Sequence, residues 1–420
     1  MKSKHRDLLT IIFLGMAGGS IFTLPYLKYV FYEQMLDAMH ISGQQIGMMI
    51  TVFAIACTIN QIPGGIISDR ISSRKTILWS LFTTCILIVA FAFTFTTYFA
   101  ALIIWFLLAF TTIFLCWPAV TKTVRAHSKE IGSGTAFGIY HAVCGLTGAI
   151  INLIALHVYS LFPSPEQGFL YALIVLASYT IIIMFALTYL LRDEREGKGN
   201  VCPGEQVRLA DVKNVLASPT IWLISSILFC TYTIYIAVTY FNPYLIQTFH
   251  ITEKLSGNLT IIRLYVFTML APISGMLADR LFHSTLRWFI VGLGAVFMAV
   301  GSIYLFESTL SAPVAIALTL IAALFMVGLY CIMYSIINEC RIPDNVSGTA
   351  IGIISVFAFL PDLIAHTLFG KLIDMYGTGG YHYIFMIMLI LSVVTCSCTI
   401  ILLRSVKKQT SVLMPKPQFH

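Results

Sequence analysis

"GGIISDRISSRKTILW", residues 64–79, sets a Gly pair, Asp69-Arg70 and Arg74-Lys75 between two stretches that are almost wholly apolar. The pattern returns at 274–289 as "SGMLADRLFHSTLRWF", placing Asp279-Arg280 210 residues after Asp69-Arg70 in a chain of 420. Two more echoes keep nearly that offset: "SGTAFGI" at 133–139 with "SGTAIGI" at 347–353, and "LPYL" at 24–27 with "NPYL" at 242–245. Self-similarity at half the chain length means two structural copies in the same orientation.

The copies are made for a bilayer. Of the residues, 58% are hydrophobic and 10% charged, and the mean hydropathy is +0.89, far from soluble-domain values. Apolar runs near the roughly 20 residues that cross a hydrocarbon core recur twelve times, near 8–34, 43–67, 76–96, 98–121, 133–159, 168–191, 219–247, 256–278, 287–306, 312–336, 347–371 and 382–404. Runs of that length satisfy their backbone in lipid as helices, and the short alternating strands of a membrane barrel are absent. The expected fold class is an all-α membrane protein of twelve transmembrane helices in two pseudo-symmetric bundles. Residues 1–191 form the first six-helix bundle, 192–218 a cytoplasmic linker, 219–405 the second bundle and 406–420 a cytoplasmic tail. The opening "MKSKHRDLLTIIFLG" reads as a retained first span, its apolar region being too long for a signal peptide and lacking a small-x-small cleavage site.

With the N-terminus inside, 21 of the 25 Lys and Arg residues fall on one side; Lys28, Lys254, Arg263 and Lys371 remain for the spans or the far side. That asymmetry puts both termini in the cytoplasm. It also accounts for the net charge of +7 without nucleic acid, because the basic residues are scattered over loops. The ten cysteines lie in spans or on the inner side and read as reduced thiols; Cys396 and Cys398 lack the convergent partners of a metal site. No Walker A loop or nucleophile elbow occurs, so neither an enzyme nor a cofactor is expected.

Two parallel-related halves around a site at the bilayer midplane is the plan of one class of secondary transporters. Through the twelve spans and the Gly-x-x-x-Asp-Arg motif after spans two and eight, the chain resembles the major facilitator superfamily over essentially its full length. The spacing Asp69-Arg70-Ile71-Ser72-Ser73-Arg74, with "CWPAVTK" at 116–122, is similar to the organophosphate:phosphate antiporter branch. The resemblance implies that Lys28 stands where that branch holds phosphate with an Arg on span one. It puts Tyr235, eight residues before Pro243, where the branch has a second Arg. It places the branch's span-five His at Cys144, one turn from His141 on the same face.

Other candidates come from the residues themselves. Asp69 and Asp279, with Arg70, Arg74 and Arg280, are expected to gate at the inner helix ends: the carboxylates can accept from helix N-termini and pair with Arg, and Gly65 and Gly275 permit close approach. Lys28 and Arg263 lie inside apolar runs, where a charge reads either as an anion contact or as a snorkelling side chain, and for Arg263 also as a pairing between bundles. His141 reads as substrate-binding or as a satisfied structural imidazole. Asp362 and His366, four residues apart on one face, read as a proton-coupling pair or as a bond between helices. Tyr232, Tyr235 and Thr239 form one stripe of span seven, and Tyr26, Trp117, Tyr140 and Tyr265 add cavity candidates with rings suited to a sugar-like cargo. The expected activity is proton-coupled uptake of a small organic anion, a sugar acid or sugar phosphate, by alternating access in a monomer of the plasma (bacterial inner) membrane. Phosphate exchange and drug efflux are the alternatives within transport; a transporter-like sensor is the alternative outside it.

Overall fold

The computed structural model describes residues 2–191, 215–252, 255–256, 259–260, 262–340, 342 and 346–413. Most of the expected linker, 192–214, lies outside them, as do Lys254 and the side chain of Tyr265. All regular structure among the described residues is helical. Among the described residues, ten helices are long and apolar enough to cross a membrane. The other two expected spans, 8–34 and 256–278, are interrupted.

The chain divides into two compact units, each holding a short piece of the opposite half of the sequence. Unit 1 is Met1–Ile131, Ile139–Val215 and Pro343–Ile353; unit 2 is Gly132–Gly138, Leu216–Ile342 and Ile354–His420. Those two short pieces carry the "SGTA" repeats.

In unit 1 the first span breaks into Lys2–Ile21 and Lys28–Met39 around Pro25, whose ring has no N–H to continue a helix. The break is tolerated because its backbone is satisfied by protein, as apolar surroundings demand: the Trp105 indole donates to the Pro25 carbonyl at 3.2 Å. Trp105 belongs to an edge-to-face cluster with Phe91, Phe95, Phe169 and Phe31, and its centroid lies 5.1 Å from that of Phe91. The core of the unit thereby fixes where Lys28 begins its helix.

The quoted motif is a two-residue turn. Helix Gly43–Arg70 ends at Arg70, and Ser73–Thr94 starts after Ser72, whose hydroxyl accepts from the Lys75 amide. Ser284 does the same for Thr285–Phe306 in unit 2, accepting from the Arg287 amide. A further echo lies at the helix ends. His40-Ile41-Ser42 and His250-Ile251-Thr252 stand 210 residues apart; both histidines close a helix in the left-handed conformation (φ 54° and 51°), and Ser42 and Thr252 then accept amides three residues on.

Unit 2 is built on Phe241, Tyr244, Tyr381 and Phe385, all essentially without exposure. Its eighth span winds through two π-helical segments, Ile262–Val266 and Leu277–Leu281, with Ala271–Met276 and its Pro272 between them. Such segments often mark functional sites, and Arg263 and Asp279 sit one in each.

Candidate functional site

The two aspartates of the repeated motif make matching contacts. In unit 1 the Asp69 carboxylate caps the helix Ser347–Phe359: Oδ1 accepts the Gly348 amide at 2.8 Å, and Oδ2 accepts the Thr349 amide at 2.7 Å and the Thr349 hydroxyl at 2.8 Å. In unit 2 the Asp279 carboxylate caps Ser133–Ser160 through the Gly134 amide at 3.1 Å, the Thr135 amide at 2.7 Å and the Thr135 hydroxyl at 2.8 Å. A carboxylate on exposed N–H groups at the positive end of a helix dipole is a strong arrangement. Each half's Asp-Arg motif thus binds the other half's Ser-Gly-Thr motif. The glycines make room: a Cβ on Gly65 would lie 2.4 Å from the Gly348 carbonyl oxygen, and one on Gly275 2.2 Å from that of Gly134.

The cations around these carboxylates differ from expectation. Asp69, with no exposed side-chain surface, pairs with Lys122 at 3.4 Å rather than with an Arg. Arg74 turns away, donating at 3.0 Å to the Thr188 carbonyl near the end of helix Pro165–Leu190, where Arg6 holds the Leu190 carbonyl at 3.2 Å. Arg70 and Arg280 are exposed. Among the described residues no cation pairs with Asp279. Its neighbourhood instead has Asn338 donating to the Ser133 hydroxyl at 2.5 Å, and Glu339 accepting the Ser284 hydroxyl at 2.5 Å and the Leu286 amide at 3.1 Å.

Unit 2 also gathers the charges of the spans. Arg263 is 6% exposed, too little for a snorkelling side chain. Its Nη1 donates to the Asn242 side-chain oxygen and its Nη2 to the Thr319 hydroxyl at 3.0 Å, while Cζ lies 5.6 Å over the Phe241 ring. Its Nε has no partner, and no carboxylate lies within ion-pair distance among the described residues. Neutral partners orient a guanidinium without cancelling its charge.

Asp362 stands in the first turn of Pro361–Tyr376, and the Tyr232 hydroxyl donates to both its oxygens, at 2.9 and 3.0 Å. Tyr232 and Tyr235 stack with Tyr330 of Ala312–Ile332: Tyr235 and Tyr330 are 4.1 Å apart at 11°, Tyr232 and Tyr330 5.7 Å apart at 30°, and Phe359 closes edge-on to Tyr232 at 5.0 Å. Asp362 and His366 do not form an ion pair within 4 Å; both are exposed, and the His366 carbonyl accepts the Tyr240 hydroxyl at 3.2 Å. A carboxylate exposed at membrane depth faces water or a passage, since lipid would exclude it.

The unit 1 candidates are more enclosed. Lys28 is half-buried at the start of its helix. Tyr140 is 3% exposed, its hydroxyl lying against Gly18 of the first helix. His141 meets the Tyr140 ring edge-on at 5.0 Å. Trp117 is buried where the π-helical turn Phe110–Cys116 hands over to Trp117–His127, and Tyr26, 41% exposed, packs edge-on against Phe53.

Sequence reasoning missed Asn242, Thr319, Tyr330 and Glu339. Asn242 carried a signal, being the changed residue between "LPYL" and "NPYL". Tyr330 and Thr319 carried none, because an aromatic or a Thr in an apolar run is usually packing.

Comparison with known proteins gives the family. The Major Facilitator Superfamily pattern matches residues 8–366. The inner membrane protein YihN of Escherichia coli K12 is 28% identical over 393 residues, covering 89% of this chain and 90% of its own. The membrane sensor protein UhpC of the same organism is 24% identical, covering 90% and 88%. Among solved structures, the transporter FucP in its outward conformation superposes with a TM-score of 0.71 at 13% identity, over 94% of this chain and 99% of that one. A bacterial homologue of the iron transporter ferroportin gives 0.72 at 14% identity, over 96% and 99%. The chain belongs to the Major Facilitator Superfamily, with that superfamily's fold, and is a membrane transporter rather than an enzyme.

Proposed function

We propose that this superfamily member is a secondary active transporter for a small organic anion, a sugar acid or sugar phosphate, driven inward by protons. Arg263 carries the reading: a buried guanidinium with only neutral partners and an open Nε calls for a counter-anion, and its planar fork fits carboxylate or phosphate. Lys28, at the start of its helix in unit 1, is the other basic candidate for contact with an anionic cargo. Asp362 serves as the proton carrier, because protonation removes the cost of moving its charge through an apolar passage, and His366 lies one turn away on the same helix. The protein acts by alternating access as a monomer in the bacterial inner membrane with both termini inside, a reading supported by the Lys and Arg asymmetry and by relatives named as inner membrane proteins.

Purified protein in liposomes is expected to accumulate labelled gluconate or glucose 6-phosphate under an inward proton gradient. Arg263→Gln should lower uptake at least about 100-fold, the worth of a desolvated charge contact near 3 kcal/mol, with Arg263→Lys intermediate. Accumulation that follows internal phosphate and ignores the gradient would establish exchange instead. Binding without flux would establish a sensor, the role named for UhpC.

A further inference from the structure

We propose that Tyr232 is the positioning residue through which protonation of Asp362 moves the Tyr235–Tyr330 stack. This rests on Asp362 being the proton-carrying group, and adds what that proton does next.

Tyr232 faces two ways. Its hydroxyl donates to both oxygens of Asp362, at 2.9 and 3.0 Å, and its ring lies in a stack with Tyr235, 5.9 Å and 20° away, and Tyr330, 5.7 Å and 30° away. An ionised carboxylate only accepts, so it holds the tyrosine O–H on its side of the site; a carboxyl group also donates. When a proton from water binds one Asp362 oxygen, the group loses its negative charge. The charge-assisted bond to Tyr232 weakens to a neutral one, roughly half as strong. The new O–H competes for the Tyr232 oxygen, and the Tyr232 proton becomes available to another acceptor.

The ring cannot answer alone. Phe359 holds it edge-on at 5.0 Å, and on its stacked side it meets Tyr330, which is packed on Tyr235 at 4.1 Å. The stack spans the helices Pro219–Val238 and Ala312–Ile332, and all three rings are half-buried, leaving surface for a cargo. The titratable groups facing Asp362 are few: Tyr232 from the opposing helix and His366 from its own. Tyr240 reaches the same turn but donates to the His366 carbonyl. Among the described residues, the Tyr232 hydroxyl therefore joins the acid to the aromatic surface.

The test needs no known cargo. Protein labelled with 3-fluorotyrosine is titrated in detergent, following Tyr235 and Tyr330 by fluorine NMR and the Asp362 carboxyl by its infrared C=O band, with assignments from Tyr→Phe and Asp362→Asn variants. In the unaltered protein both fluorine signals should shift with the midpoint of the Asp362 band. In Tyr232→Phe the band should persist while both shifts are lost; in Tyr330→Phe the Tyr235 shift should remain, which separates coupling from ring packing. The proposal is overturned if the Tyr235 and Tyr330 signals follow pH equally well in Tyr232→Phe, or if they ignore the Asp362 transition in the unaltered protein. Absence of any Asp362 band in the range would instead overturn the proton-carrier reading beneath it.

Discussion

Replacing Asp69 by Asn leaves the size of the side chain nearly unchanged and removes its charge. Asn keeps one acceptor oxygen and presents an NH₂ where the second oxygen met donors. Of the three bonds at 2.7–2.8 Å to Gly348 and Thr349, at least one is lost, and those that persist are no longer charge-assisted. One such bond contributes about 1.5–3 kcal/mol. The helix-terminus term adds about 0.3–1 kcal/mol. Lys122, 20% exposed and 3.4 Å away, keeps the Ser68 carbonyl but loses its anionic partner, worth about 0.5–1 kcal/mol at that exposure. The total is roughly 2–5 kcal/mol for opening this helix start. At about 1.4 kcal/mol per decade, backbone amide exchange at Gly348 and Thr349 should accelerate by roughly 30- to 4,000-fold.

Asp279→Asn removes equivalent bonds from Gly134 and Thr135 but strands no lysine, so its effect should be smaller by the Lys122 contribution. Lys122→Met in the Asp69→Asn background should recover that difference. Hydrogen exchange read by mass spectrometry on peptides covering 347–353 and 133–138 measures both sites in one sample. Exchange at 347–353 in Asp69→Asn within threefold of the unaltered protein would refute the cap. An acceleration spread evenly over all helices would show global destabilisation instead.

Gly65→Ala forces a Cβ to within 2.4 Å of the Gly348 carbonyl oxygen; overpacking against backbone should cost about 1–3 kcal/mol or more and lower the midpoint of thermal unfolding in detergent. Gly294→Ala, whose Cβ would meet nothing within 4 Å, should be neutral or stabilising by about 0.5–1 kcal/mol, and a Gly294→Ala loss equal to that of Gly65→Ala would sink the packing argument. Glu339→Gln removes the charge from a cap on helix Thr285–Phe306, and faster amide exchange at Leu286, by about fivefold, should follow from the loss of about 1 kcal/mol. Trp105→Phe leaves the Pro25 carbonyl without its donor, a penalty of about 1–3 kcal/mol that should show as faster exchange in residues 22–30 while the far ends of unit 1 are unaffected.

The spans were legible because a bilayer admits so few solutions: a long apolar run must be a helix. The breaks were not. Pro25 in the first span and the π-helical turns of the eighth depend on which neighbour supplies the missing hydrogen bond, and Trp105 lies 80 residues from the carbonyl it serves. The capping role of Asp69 and Asp279 was readable because topology gives no reason for a carboxylate at a helix end expected to lie inside. Its partner Lys122, within Trp117–His127, was not, since a basic residue near an expected inner helix end already has a reason to be there. Asp362 was readable as an anomaly of charge, but its bond to Tyr232 joins helices 130 residues apart, beyond the reach of any i+4 rule.

The internal repeat works as a control on these assignments, because each half supplies the other's unmodified version of a position. Where the halves agree, as at Asp69 and Asp279, His40 and His250, or the two "SGTA" starts, the shared residues bound and brace helices. Where they disagree, the chemistry concentrates. At the offset of 210, Arg263 answers to Phe53; at 218, Asn242 answers to Leu24 and Tyr232 to Leu14; at 214, Asp362 answers to Gly148. Phe53, Leu24 and Leu14 are buried apolar packing in unit 1, 3%, 0% and 0% exposed. A helix at those positions is stable without any polar group, so stability does not call for the guanidinium, amide, phenol and carboxylate that unit 2 places there. Placing such groups along membrane-spanning helices costs free energy that apolar residues at the same points do not. A cost carried by one copy and absent from the other is offset by something other than the fold, and the proposed function assigns that role to the cargo and the driving proton.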